Sequence, residues 1–465
     1  MNVLLVSTYD LGNQPTIIAS HAAQLVASSH EIRTIDLAIE DLDSGIINWA
    51  QAIGISIQMH TSATIAKNLV ENLRSSGFKG KIIYFGLSAH LGEVLFSEGQ
   101  VDAIFSGESE TAFSNYLDQL DTGKTPANTN LKILERIDHL VPLRSKLRPL
   151  EEYSHIIWGD RSLVVGPIET SRGCSHGCLH CPVPQVYNKR VRKVDLKTLI
   201  NDIDQLVEMG AEHISFNDPD FLNIPTHSDL VVTEMRKRHP NLTFDATIKI
   251  EHIVKYKKLM RQLKDKGLIL VQSAFETMDD EVLALMEKGH NANDAKEAID
   301  FAKSIDLTVR PSWIPFSPWT TYQSIADIVN FSIQYDVLSE SDPIQWTIKL
   351  LVPKGSLLLD SAILSPIFTD YDEEHFTYRF DYKHAALDNL QQDLARFMED
   401  SQSCDDSIVT LKGLYLIIKE HLETYSDSSL IDFPSEVVSN NNPRRSESWF
   451  CCAEPTALQL KSATV

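Results

Sequence analysis

Short apolar runs alternate with amphipathic stretches along most of the chain. In the first 125 residues the runs are Val3–Val6, Ile32–Leu37, Ile53–Ile57, Ile82–Phe85 and Ala103–Phe105. Each has the length of a strand buried on both faces, and helical stretches such as Thr61–Leu73 separate them. Parallel strands need crossovers, so the pattern predicts an α/β fold with a doubly wound, Rossmann-like sheet over residues 1–125. Pro126, Pro142 and Pro149 interrupt residues 126–160, which read as a connector. A second β/α series covers residues 161–358. Its candidate strands are Leu163–Thr170, His213–Asn217, Thr243–Ile248, Leu268–Ala274, Thr308–Trp313 and Trp346–Leu351, with helices such as Leu196–Met209 and Asp280–Glu287 between them. Six repeats predict a partial (β/α)6 barrel whose working face lies at the C-terminal strand ends. Residues 359–438 read as a helical region, and residues 439–465 as a flexible tail. The tail opens on the linker Ser-Asn-Asn-Asn-Pro-Arg-Arg-Ser-Glu-Ser and carries Trp449-Phe450-Cys451-Cys452-Ala453-Glu454-Pro455.

Composition narrows the function. The 465 residues are 43% hydrophobic and 23% charged, which excludes a mainly disordered chain. With 42 Lys+Arg against 64 Asp+Glu the net charge is −22, so no global field exists to hold a phosphate backbone. Only a local basic groove remains open to a polyanion. No apolar run approaches the ~20 residues of a membrane span, and Met1–Ser7 carries no basic leader, so a cytoplasmic protein is expected. The six cysteines are Cys174, Cys178 and Cys181, a lone Cys404, and the adjacent Cys451 and Cys452. That clustering points to metal or redox chemistry rather than a disulfide framework.

The strongest motif is Glu169-Thr-Ser-Arg-Gly-Cys174-Ser-His-Gly-Cys178-Leu-His-Cys181-Pro182, on a loop just after a predicted strand. Three thiolates spaced CxxxCxxC can hold three irons of a [4Fe-4S] cube and leave the fourth open. The competing reading is zinc, completed by His176 or His180. Zinc usually takes paired CxxC units from two places, and no second pair exists in this sequence.

At these residues the chain resembles the radical S-adenosylmethionine (SAM) superfamily, whose open iron chelates SAM and whose cluster supplies the electron that cleaves a carbon–sulfur bond. The resemblance extends to Ile214-Ser-Phe-Asn217-Asp218-Pro-Asp220, where family members contact the SAM amino group, and makes Asn217 and Asp218 candidates. Ser273-Ala-Phe-Glu276 resembles the fourth-strand motif whose acid meets the SAM ribose, a role for which a carboxylate's two acceptor oxygens are suited. Arg310 on the fifth strand is the candidate for the SAM carboxylate.

Residues 1–125, together with this core, resemble the cobalamin-binding type of radical SAM protein. Gly107-Glu108-Ser109-Glu110 stands where that type places a sheet-edge loop, and glycine there would let backbone approach a ligand. The Asp-x-His-x-x-Gly motif is missing; Asp10-Leu-Gly12-Asn13 is its nearest echo. The resemblance therefore allows cobalamin without supplying a histidine ligand, and the absence of GxGxxG gives no support to a nicotinamide.

The tail resembles that of the CUAEP/CCAEP-tail radical SAM proteins, which are related to the arsinothricin-pathway radical SAM enzyme. That resemblance implies Cys451 and Cys452 as thiols that hold a soft substrate such as arsenite or another thiophilic species. The expected function is thus reductive SAM cleavage leading to a carbon–heteroatom bond on a substrate held by the tail, with aminocarboxypropyl transfer to trivalent arsenic as one form. The alternative is cobalamin-dependent methylation of a small molecule; a non-catalytic metalloid or redox sensor is a third reading. A low-potential donor such as flavodoxin or ferredoxin is the implied partner, with no nucleic acid and no membrane.

Overall fold

The five apolar runs of the N-terminal series are buried strands in the computed structural model, which describes residues 1–401, 406–435, 441–447 and 452–461. They are β1 (Asn2–Ser7), β2 (Glu31–Asp36), β3 (Ala52–Ser56), β4 (Lys81–Phe85) and β5 (Ala103–Gly107). All pair in parallel in the order β2-β1-β3-β4-β5, and β6 (Asn130–Ile133) adds to β5 at the edge. The sheet therefore extends past residue 125 and absorbs the start of the predicted connector. From β1 the chain runs to β2 on one side and to β3 on the other, so the loops after β1 and β3 diverge and leave a crevice between them. Helix His60–Ser75 buries Ile65, Leu69, Val70 and Leu73 on the sheet. Its Ser62 hydroxyl accepts from the backbone of Gln58 and Met59, which fixes the loop after β3.

The second series forms a curled seven-stranded sheet. Its strands are β7 (His155–Trp158), β8 (Arg161–Ile168), β11 (His213–Phe216), β12 (Thr243–Thr247), β13 (Leu268–Glu276) and β14 (Thr308–Trp313), with β17 (Arg444–Arg445) outermost beside β7. A separate two-stranded ribbon, β9 (Ser171–Gly173) and β10 (Val191–Lys193), flanks the cysteine loop. Five strands are parallel: β8 and β11 to β14. The sixth candidate, Trp346–Leu351, is not a strand. Pro343–Thr347 forms a 3-10 turn, and only an isolated bridge joins Phe316 to Lys349. Trp346, Ile348 and Leu350 are buried, and an apolar run reports burial before it reports conformation.

The C-terminal region is less helical than expected, because the hairpin β15 (Phe368–Asp372) and β16 (Thr377–Phe380) precedes its helices. Helices Ala386–Asp400 and Ser407–Tyr425 then bury Leu387, Leu390, Leu394, Leu411, Leu414 and Ile418 in the barrel's core cluster. Cys404 lies outside the described residues. Residues 441–447 are not a free linker: Arg444 and Arg445 pair with Ile157 and Ile156 of β7, and Ser446 N donates to the His155 carbonyl at 2.9 Å. β7 would otherwise be an open edge, and pairing satisfies its exposed backbone groups. No helix among the described residues is long and apolar enough to cross a membrane.

Two buried ion networks fasten the sheets together. Arg144, fully buried in the connector, bonds Asp202 at 2.9 and 3.1 Å, the Pro167 carbonyl at 2.7 Å, and Gln14 and Thr16 of the N-terminal unit at 3.3 Å each. Arg172 on β9 bonds Glu110 at 2.6 Å and Glu169 at 3.0 Å, with Glu108 at 3.9 Å. The Tyr187 hydroxyl donates to Glu108 at 3.1 Å. Burial alone would raise the Glu110 carboxyl, but the Arg172 guanidinium outweighs it and brings the pKa down to about 2.

Removing one partner of such a pair leaves a buried, uncompensated charge. Arg144→Ala is expected to cost about 3–5 kcal/mol in urea unfolding, and Arg144→Met with Asp202→Leu to recover most of it. Glu110 has a depressed pKa, so its contribution is complete above its ordinary 4.5 and is lost as pH falls from there toward about 2. Unfolding midpoints measured across that range should fall for the wild type and stay flatter for Glu110→Gln.

Candidate active site

Strand β8 ends at Ile168, and the chain turns through β9 into the cysteine loop on the C-terminal face of the curled sheet. Cys174 and Cys178 are buried, Cys181 is partly so, and none of the three is in a disulfide. Helix Pro182–Tyr187 starts directly after Cys181, with proline at its first position where no N–H is needed. Burial pushes the Cys181 thiol up to about 12 and raises that of Cys174, with Cys178 adding to both. Buried thiols this close to one another gain most from a soft cation that takes them as thiolates. The donor set and its spacing fit an iron–sulfur cluster. Two cations stand by: Lys249 Nζ lies 3.9 Å from Cys178 Sγ, and the field of Cys178 and Cys181 helps to hold the Lys288 ammonium charged.

Neighbouring groups fix the loop from several sides. Asn223 Oδ1 accepts from Ser175 N at 3.1 Å and from Ser175 Oγ at 2.9 Å, and it lies 3.7 Å from Cys174 Sγ. Glu276 binds Lys288 at 2.5 Å and His180, between the last two cysteines, at 3.1 Å. Burial opposes that carboxylate, yet the Lys288 ammonium and the His180 ring hold it far below the ordinary range. Glu276 also takes φ +63 where β13 slips register against β14, a left-handed conformation that a non-glycine residue adopts only when its surroundings impose it. Asp220 pairs with His252 at 2.8 Å and lies 3.6 Å from His176 of the cysteine loop. His290 is buried near Lys288 and Lys249; its ring lies by the Phe275 backbone, and neither nitrogen makes a well-formed hydrogen bond among the described residues. An orphaned buried imidazole is a group that a bound cofactor would satisfy.

The C-terminal strand ends of both sheets face one another across a cavity of about 370 Å³. From the N-terminal sheet come Asp10, Asn13, Gln58 and Leu87; from the barrel, Asn217, Gln272 and Arg310. Ser273 Oγ, Gln58 Nε2 and Arg445 Nε are buried at its wall without a hydrogen-bond partner among the described residues, so the cavity is prepared for a polar ligand. Burial, then Glu169 and Asp36, pushes the Asp10 carboxyl up to about 8, which favours its protonated form.

The sequence-derived candidates separate in space. Asn217 and Arg310 line the cavity. Arg310 is already held by Asp342 at 2.7 Å and Glu340 at 3.5 Å. Asp218 does not line it: its carboxylate accepts from Thr170 N at 2.9 Å, Thr170 Oγ1 at 2.7 Å and Ser171 Oγ at 2.6 Å, which ties the end of β8 to β11. Glu276 likewise faces the cysteine loop rather than the cavity. The Gly107–Glu110 loop divides: Gly107 lines the cavity, where a Cβ would run into the Ile133 carbonyl, while Glu108 and Glu110 turn to Arg172. Cys451 lies outside the described residues. Cys452 is half-buried and packs on the apolar cluster that includes Met286, Ile314 and Leu350, as does Leu179 of the cysteine loop. Ala453 next to it offers its carbonyl to Thr61 at 2.8 Å.

Sequence reasoning missed Asn223, Asp220 and Arg445. Asp220 could have been found within the Asn217–Asp220 motif, but Arg445 reaches the cavity only because β17 docks on β7. It donates to Asn13 at 2.7 Å, and reaches Asp245 at 3.4 Å and Asn217 at 3.5 Å. None of the histidines left unplaced in the N-terminal domain lines the cavity. His21 bonds Ser109 and the Ile17 carbonyl, His60 pairs with Glu454, and His90 meets Gln185.

Comparison with known proteins agrees with this geometry. The Radical SAM superfamily model matches residues 168–331, which hold the cysteine loop and all five parallel strand ends. An uncharacterized methyltransferase of Pyrococcus horikoshii is 22% identical over 391 residues, 78% of this chain and 82% of the relative. A putative methylthiotransferase of Methanocaldococcus jannaschii is 22% identical over 358 residues, 71% of this chain and 75% of the relative. Among solved structures, the cobalamin-dependent SAM radical enzyme OxsB, with aqua-cobalamin and SAM bound, has a TM-score of 0.65 at 13% identity and covers 91% of this chain and 71% of its own. The radical SAM methyltransferase TsrM of Kitasatospora setae, with cobalamin and a [4Fe-4S] cluster, has a TM-score of 0.58 at 14% identity, covering 72% and 70%. These likenesses extend the shared fold through both sheets. The thiol loop, the strand-end cavity and the family match converge: this chain is an enzyme whose residues 168–331 match the Radical SAM superfamily, and that segment carries the residues that would hold a [4Fe-4S] cluster and SAM.

Proposed function

We propose that this enzyme transfers a methyl group from SAM to a small molecule, with a corrinoid on the N-terminal sheet edge as intermediate carrier. The observation that carries this reading is a cavity lined by the strand ends of both sheets, in which a ligand held by one sheet would face a ligand held by the other. In support, the relatives are named as methyl- and methylthiotransferases, and the solved neighbours hold cobalamin. Cys174, Cys178 and Cys181 hold the cluster in this reading, while Asn223 and the His180–Glu276–Lys288 chain position their loop. Asn217 and Arg310 meet the amino and carboxylate ends of SAM. Asp218 and Glu276, engaged elsewhere, act as framework and positioning residues. The loops Asp10–Asn13, Gln58–Met59 and Gly86–Leu87, which line the cavity from the N-terminal sheet, would hold the corrinoid. When bound, the cluster supplies a low-potential electron to SAM, and the corrinoid supplies a transferable methyl. Closure between two sheets keeps water from the reactive carbon.

The test is anaerobic purification from cobalamin-supplied cells. The expected protein carries iron, labile sulfide and a corrinoid spectrum; a chain that takes up the cluster but never a corrinoid would sink the methyl-transfer reading. Cys174→Ser, Cys178→Ser and Cys181→Ser should each remove the cluster absorbance and abolish SAM turnover.

A second reading rests on the tail, where Cys452 and the cysteine loop share one apolar cluster. Here Cys451 and Cys452 present a thiophilic substrate for carbon–heteroatom bond formation. Arsenite is the probe: an arsenic product bearing an aminocarboxypropyl group, lost in Cys451→Ser/Cys452→Ser, would favour it. Turnover unchanged in that double variant would remove the tail from the mechanism.

A further inference from the structure

A chain with net charge −22 has little reason to gather cations on one loop, yet Asn188–Lys193 reads Asn-Lys-Arg-Val-Arg-Lys. The segment leaves helix Pro182–Tyr187, turns at Asn188 and Lys189, and returns as β10. Lys189, Arg190 and Lys193 are exposed and Arg192 is half-buried. None of the four belongs to an ion pair among the described residues. The nearest acid in sequence, Asp195, is occupied in capping helix Leu196–Glu208.

This patch lies against the cysteine loop. β10 pairs antiparallel with β9, Val191 opposite Gly173 and Lys193 opposite Ser171, so it is hydrogen-bonded to the strand that leads into Cys174. A Cβ at Gly177, the residue before Cys178, would come within 2.5 Å of Lys189 Nζ. The solvent-facing part of the cysteine loop, exposed Ser175 with half-buried His176 and Gly177, thus adjoins the cationic turn. Asn188 and Lys189 take φ +49 and +57, where glycine would sit at less cost. The turn therefore holds a lysine over the loop in a conformation that its backbone disfavours.

We infer that the turn Asn188–Lys193 is the docking surface for a small acidic one-electron carrier protein that reduces the cluster; this rests on the radical SAM reading. In the transfer one electron leaves the carrier's reduced centre and arrives on the cluster of this chain. No bond forms or breaks and no proton moves. The net negative charge of the enzyme disfavours random encounters with an acidic partner, and this patch beside the cysteine loop both attracts and orients it. A polyanion such as nucleic acid would meet the same repulsion over a far larger contact.

The experiment follows optical bleaching of the reconstituted cluster by a reduced, acidic plant-type ferredoxin. The wild type is compared with Lys189→Glu/Arg190→Glu/Lys193→Glu. At an ionic strength of about 0.01 M, where the Debye length is about 30 Å, the variant is expected to be reduced about 10-fold or more slowly. The gap should narrow at about 0.3 M, and reduction by dithionite should be the same in both proteins. Equal ferredoxin rates would overturn the inference. An equal fall with dithionite would overturn it too, since the turn would then merely support the loop. Iron content separates the two levels: a wild type that assembles no cluster removes the enzyme reading itself, whereas a cluster reduced indifferently removes only the docking surface.

Discussion

The site depends on one buried guanidinium. Arg172 precedes the cysteine loop by a single residue, and its partner Glu110 opens the helix after β5 of the other sheet. Both are buried, so each charge is tolerable only while the other is present. A shift of one sheet against the other would strand a charge in low dielectric. The relative position of the sheets is therefore set beside the residues that hold the proposed cluster. Arg144 repeats the device on the connector side, bonding Asp202 of the barrel and Gln14 and Thr16 of the N-terminal unit.

What this constraint produces is an enclosed volume rather than a contact. Two sheets brought together by their C-terminal strand ends cannot interdigitate, because loops and not side-chain layers meet there. The residual space is walled by atoms that lack a hydrogen-bond partner among the described residues, such as Ser273 Oγ and Arg445 Nε. Such groups destabilise an empty protein and are repaid on binding a polar ligand. The C-terminal segment closes the space: Glu447 packs on Gly12, Arg445 spans from Asn13 to Asp245, and Ala453 is held by Thr61.

The cysteine loop is held by polar groups drawn from separate strand ends. Asn223 follows β11, Asp220 acts on His176 with His252, and Glu276 acts on His180 with Lys288. Each histidine lies inside the CxxxCxxC segment, so the two imidazoles serve as handles for carboxylates. This explains why a loop with two glycines keeps its shape, and why acids that read as SAM contacts are engaged in positioning.

The sequence by itself determined the parallel strands of both sheets except the edge strand β6, because buried strands and amphipathic crossovers impose local periodicities that survive folding. It also determined the cysteine set, since ligand chemistry lies in residue type and short spacing. Long-range pairing was not legible. Trp346–Leu351 has a strand's apolarity, yet it buries its side chains from a 3-10 turn and leaves the edge at β14 unpaired, whereas Arg444 and Arg445, inside a polar low-complexity stretch, join the edge at β7. Which of Asn217, Asp218, Glu276 and Arg310 would face the cavity was equally hidden. Orientation at a strand end depends on partners such as Thr170, His180 and Asp342, which are distant in sequence for all but the nearest. Only the tertiary structure decides these, because a buried carboxylate goes to whichever donors the fold brings within reach.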